Sequence, residues 1–177
     1  SKGLCTPSPV DVSIERFAPP STVYAVSDQQ ICGTSAQLSA AVPNVGTGLW
    51  TVISGNATIS SNTSASSGIS GLSPGSVTLR WTVSNGTCPA SEDEVSIQID
   101  EAPSPASVGP NAQVCATTGN LQAIAPTVGA GLWTVSAGGA TITDATSLTS
   151  GVTNLGAGLN TFIWTVSNGT CPPSTAT

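Results

Sequence analysis

The sequence predicts an all-β chain of tandem Greek-key sandwiches. Three observations carry that prediction: a composition of strand and turn formers, an internal repeat, and short runs of alternating apolar residues. Charged residues make up 7% of the 177 positions, against about a quarter in an ordinary soluble domain. Ser, Thr, Gly, Ala, Val and Pro take their place. Thr and Val suit strands, while Gly, Pro, Ser and Asn suit turns. Four tryptophans and the periodic apolar runs distinguish the chain from a disordered linker of similar composition.

The repeat is strict. Cys32, Trp50, Trp81 and Cys88 recur as Cys115, Trp133, Trp164 and Cys171, always 83 residues on. Gly48-Leu49-Trp50-Thr51-Val52 returns as Gly131 to Val135, and Trp81 to Pro89 returns unchanged as Trp164 to Pro172. The offset also runs backwards: Cys5 falls on Cys88, Val12-Ser13-Ile14 on Val95-Ser96-Ile97, and Pro20 on Pro103. Self-similarity of this kind marks a tandem array. The expected organisation follows. Residues 1–19 are the terminal strand of a preceding repeat or a donor strand. Residues 20–102 form the first repeat, and 103–177 the second repeat without its last strand.

Within a repeat, turn signals separate about seven short strands. Gly33-Thr34-Ser35 opens a strand at 36–42, and 48–53 puts Trp50 and Val52 on one face. A short strand is expected at 57–60 and another at 67–72, before Pro74-Gly75. The clearest runs from 77 to 84, where Val77, Leu79, Trp81 and Val83 alternate with polar residues. Asn85-Gly86 then turns the chain, and Val95, Ile97 and Ile99 alternate in the last strand. Seven strands in this order suggest an immunoglobulin-like sandwich. Proline fixes φ, so Ala18-Pro19-Pro20 and Ala102-Pro103-Ser104-Pro105 read as short, stiff linkers. Trp50, Trp81, Trp133 and Trp164 are expected in the cores, where large aromatic anchors matter most to small domains.

The succession Cys-Gly-Thr-Ser, Gly-Leu-Trp-Thr-Val, Leu-Ser-Pro-Gly and Trp-Thr-Val-Ser-Asn-Gly-Thr-Cys resembles PKD-like and immunoglobulin-like repeats of large secreted surface proteins of the Bacteroidetes type. It departs from PKD domains in lacking their Trp-Asp-Phe-Gly-Asp-Gly-like segment. The resemblance implies a stalk, spacer or adhesin module at the cell surface, with no chemistry of its own.

The residues point away from catalysis. There is no histidine, the commonest general base and metal ligand. Without it, and with Lys2 remote, the many serines lack an activating partner. No catalytic, cofactor-binding or metal-binding residue is therefore expected. Glu92-Asp93-Glu94 reads as solvated loop charge, with an inter-domain calcium site as the alternative. Thr175-Ala176-Thr177 replaces those acids in the second repeat, so a site common to all repeats is not expected. A net charge of −6 with only Lys2, Arg16 and Arg80 as cations offers nucleic acid no footprint. No apolar run approaches the roughly 20 residues of a membrane span.

Five cysteines suggest an oxidising, extracellular setting. Pairing within each repeat, Cys32 with Cys88 and Cys115 with Cys171, is the first expectation, stabilising each by about 4 kcal/mol. Those cysteines can lie at opposite ends of a sandwich, however, beyond disulfide reach. The alternative is a staple between neighbouring domains. All four are expected to be oxidised, and Cys5 to pair outside this chain. Of the four glycosylation sequons, Asn85 and Asn168 read better as turn residues.

Two functions remain open. One is a subunit of an extracellular filament, whose donor strand (Val10, Val12 and Ile14) completes the second repeat of the next copy, head to tail. The other is a run of stalk or ligand-binding repeats in a giant surface adhesin, with an unknown surface ligand. In both, the chain's partners are copies of itself or neighbouring repeats.

Overall fold

The computed structural model describes residues 11–177. Among them are thirteen strands and no helix. The first repeat contributes β1 (Gln29–Cys32), β2 (Ser35–Ser39), β3 (Thr47–Ser54), β4 (Thr58–Ile59), β5 (Ser66–Ser70), β6 (Gly75–Ser84) and β7 (Ser91–Asp100). They form two sheets, β1-β7-β6-β3 and β2-β5-β4. Every ladder is antiparallel except β1 against β7, which run parallel from Gln29↔Ile97 to Cys32↔Asp100. Strands consecutive in sequence but lying in different sheets are what a Greek-key sandwich requires.

The alternation decides what is buried. Val77, Leu79, Trp81 and Val83 point from β6 into the core, and Val95, Ile97 and Ile99 join them from β7. Trp50 and Trp81 are direct cross-strand partners with ring centroids 5.1 Å apart. Trp133 and Trp164 repeat the pair at 5.1 Å. Two residues before Trp50 and Trp133, on the same strands, stand Gly48 and Gly131. A methyl on Gly48 would collide with the Trp81 ring, and one on Gly131 with the Trp164 ring. Val52 shares the face of Trp50 but is open to solvent, where the β3–β6 register shifts.

In the second repeat follow β8 (Gly119–Asn120), β9 (Ala130–Ala137), β10 (Thr141–Ile142), β11 (Gly151–Thr153), β12 (Thr161–Ser167) and β13 (Ser174–Ala176). The sheets β13-β12-β9 and β10-β11-β8 copy those of the first repeat with less material. Residues 112–115, the counterpart of β1, are not in a strand, and β13 matches the first three residues of β7, so the last strand expected to be missing from the second repeat has its beginning here. The two clusters of buried residues differ in size. Twelve buried apolar residues form the first cluster, against Trp133, Trp164 and Val166 in the second.

Several expectations need correction. The acids Glu92, Asp93 and Glu94 lie in β7 rather than in a loop. Arg80, their cross-strand neighbour, donates to Glu94 at 2.7 Å and pairs with Glu92 at 3.1 Å. The Asp93 carboxylate accepts the backbone N–H of Ala25 at 2.7 Å. Acids facing these donors are tolerated in a strand, which charge counting along the sequence does not reveal. Of the expected donor strand, Val10 lies outside the described residues. Val12 and Ile14 are not in a strand of this chain; they are 85% and 93% exposed. Among the described residues, 11–17 pair with no strand.

Candidate interaction site: the joint between repeats

The chain's most specific side-chain chemistry gathers where β7 leaves the first repeat and meets the β12–β13 turn of the second. Cys32 is bonded to Cys171, with Cα atoms 4.9 Å apart. This replaces the expected pairing within repeats. Cys32 ends β1 alongside Asp100, at the end of the sandwich facing the second repeat. Cys88 lies in the β6–β7 turn, in contact with Phe17. Cys88 and Cys115 are free thiols in this chain, the former partly buried and the latter exposed.

Around the bridge the polar groups are satisfied. The Asp100 carboxylate accepts the Thr170 backbone N–H at 2.7 Å and its hydroxyl at 2.9 Å. Gln30 Nε2 donates to both Asp100 oxygens, at 3.1 and 3.0 Å. Asn168 Nδ2 donates to the Glu101 carbonyl at 2.8 Å. Asn168 also opens a turn closed by Cys171 N–H on its carbonyl at 3.1 Å. The next residue, Gly169, has φ 52°, and a β-carbon there would strike the Asp100 carboxylate. The Asn-Gly pair is thus needed twice, for its turn and for close approach. Asn168 is the residue whose second role the sequence conceals: a turn signal says nothing of where the side-chain amide points.

The Thr170 N–H, followed by Gln30, holds the Asp100 carboxyl below the usual aspartate range. A depressed carboxyl favours the folded joint above its unfolded pKa, and that preference is lost as pH falls through the folded value. The joint should therefore be indifferent to pH between 5 and 8 and loosen only below about 3.9. Carbon-detected NMR titration of Asp100 should give a midpoint below that of an exposed aspartate. A midpoint at or above it would contradict the geometry.

The same contacts occur once more, 83 residues earlier. Asn85 Nδ2 donates to the Ala18 carbonyl at 2.9 Å, and the Cys88 thiol to the Phe17 carbonyl at 3.6 Å. Cys171 Sγ lies 3.6 Å from the Asp100 carbonyl oxygen in the corresponding place. Gly86 has φ 55°, and a β-carbon on it would strike the Phe17 ring. Residues 17 and 18 thus sit on the first repeat as residues 100 and 101 sit on the second.

The second repeat also presents a groove of about 590 Å³, lined in part by Val114, Gly119, Asn120, Gly151 and Val152. In the first repeat the counterparts Ile31, Ala36 and Ile69 belong to the core that contains Ile97 and Ile99. Among the described residues no group of three or more Cys, Asp or Glu could hold a metal ion. The described residues contain no helix, so none is long and apolar enough to cross a membrane.

No family model matches the sequence, and no curated protein sequence matches it. Solved structures do. Five immunoglobulin domains of Sidekick-1 superpose with a TM-score of 0.56 at 12% identity, over 92% of this chain and 38% of that one. Murine CEACAM1b gives 0.52 at 16% identity, over 87% and 94%. The fold is immunoglobulin-like. The chain spans well under half of the Sidekick-1 structure, and likeness at such identities extends to fold alone.

Proposed function

We propose that the chain is a structural subunit of an extracellular, cell-surface fibre, joined head to tail by strand complementation. Residues 11–17 of one copy lie in the second repeat of its neighbour, in the place that residues 94–100 hold in the first. One observation carries this reading. The first repeat buries Val95 and Ile97 completely, and their sequence counterparts Val12 and Ile14 are almost fully exposed on a chain whose second repeat is open at the matching place. Arg16 stands where Ile99 does, at the strand's exit, where a long side chain can carry its charge to water. Added strands bind through main-chain hydrogen bonds and alternate side-chain pockets. A head-to-tail contact of this type does not close on itself, so it extends into a filament. The resemblance to PKD-like repeats of secreted surface proteins agrees with that setting.

The reading is tested with Val12→Asp/Ile14→Asp in the full chain, followed by sedimentation velocity. The natural sequence should form a concentration-dependent ladder of oligomers and the variant should run as monomer. Equal sedimentation of the two would overturn strand donation. The repeated joint at Phe17 and Ala18 also favours a second reading, in which the strand belongs to an upstream repeat of one long adhesin stalk. Native fibres running as one very long chain in reducing, denaturing gels would establish that reading.

A further inference from the structure

We infer that Cys115 of one copy and Cys88 of the next form a disulfide, so that every junction of the fibre carries the bridge seen within the chain. The inference rests on the strand-donation reading and adds a covalent bond to it. It follows from two halves of one joint. The complete joint has three parts: β1 ending in Cys32, the parallel β7 ending in Asp100, and the turn bearing Cys171. Both sulfurs are positioned by residue 100. Cys32 is its strand partner, and Cys171 Sγ sits on its carbonyl at 3.6 Å.

Each free cysteine holds one half of that arrangement. Cys88 sits on the Phe17 carbonyl at 3.6 Å, beside an Asn-Gly turn whose asparagine holds the Ala18 carbonyl. This is the half belonging to the second repeat, complete except for a sulfur. Cys115 is at the Cys32 position of the second repeat, on a segment (112–115) that has no strand beside it and leaves Val114 53% exposed. This is the half belonging to the first repeat, complete except for the strand. If residues 14–17 of a second copy run parallel to 112–115, as Ile97–Asp100 run along β1, Cys115 becomes the strand partner of that copy's Phe17. The Cys88 of the same copy already lies against that Phe17. The register that fills the groove therefore also brings the two sulfurs together, with no further adjustment.

The chemistry is an exchange with a low-molecular-weight disulfide. The exposed Cys115, as thiolate, attacks the small disulfide, forming a mixed disulfide and releasing one small thiol. Cys88, as thiolate, then attacks the Cys115 sulfur and displaces the second small thiol. The protein thiols give up two electrons and two protons, and the small disulfide takes them up as two thiols.

The test uses the full chain oxidised with glutathione disulfide, and compares it with two variants, Cys115→Ser and Cys88→Ser. The natural chain should give a ladder in denaturing gels without reductant, collapsing to monomer with it. Peptide mapping should find Cys115 joined to Cys88. Each variant alone should run as monomer, and an equal mixture of the two should add a covalent dimer and nothing larger. A ladder or dimer from either variant alone, or mapping of Cys115 to Cys5, would overturn the inference. Sedimentation of the natural chain in reductant separates this result from the reading beneath it. Oligomers in reductant without a Cys115–Cys88 link after oxidation would sink the bridge alone. Monomers under both conditions would sink bridge and strand donation together.

Discussion

Trp81→Ala should lower the stability of the first repeat by about 3–5 kcal/mol, and Trp164→Ala that of the second by a similar amount. Both indoles are buried, each against a second tryptophan whose ring is tilted to it by 43° in the first repeat and 50° in the second. Each lies over a glycine that no other residue can replace without a clash, so the hole left by truncation is bounded by backbone and cannot collapse easily. Among the described residues the indole N–H of Trp81 and that of Trp164 find no acceptor, whereas Trp133 donates to the Ser147 carbonyl at 3.1 Å. An unpaired buried donor costs free energy. Trp81→Phe should consequently lose much less than Trp81→Ala, while Trp133→Phe forfeits a hydrogen bond as well as volume. Urea denaturation followed by circular dichroism measures all four. A Trp81→Ala loss below about 1 kcal/mol would contradict the packing described.

Cys32→Ser is the second large effect. The bridge joins residues 139 apart in sequence, and the chain-entropy account assigns a closed loop of that length about 5 kcal/mol. The variant should unfold at markedly lower denaturant than the natural chain. It should also be cut faster by protease at Ala102 to Pro105. Reduction of the natural chain should reproduce both changes. Unfolding that ignores reductant would mean that Cys32 and Cys171 are not joined in solution.

These two sites differ in how far the sequence reveals them. The β6 strand is legible because its alternation is local: each side chain's environment follows from its parity. The repeat of Trp50 and Trp81 at fixed spacing makes the paired indoles legible too. β1 is not. Its four residues, Gln29-Gln30-Ile31-Cys32, carry one apolar side chain between polar ones. What makes them a strand is β7, some seventy residues away. The disulfide is hidden for a related reason. An 83-residue offset shows that cysteines are equivalent but not which repeat supplies the partner, because pairing within and between repeats leaves the same spacing. Asp100 is concealed in an acidic linker-like stretch, where only the Gln30 and Thr170 contacts distinguish it from solvated charge.

The position of the bridge has a mechanical consequence. Tension applied along the chain reaches the second repeat by two covalent routes, the backbone through Ala102 to Pro105 and the Cys32–Cys171 bond. A single tether behaves as a swivel: the two bodies can turn and bend about it at little cost. With two tethers side by side, twisting must stretch one of them, and bending is left with one easy direction, about the line between the attachment points. Load is also shared, so neither the turn around Asn168 nor the end of β1 carries the whole pull. Such a joint transmits torque, and a reducing environment would convert it back to a swivel without breaking the backbone.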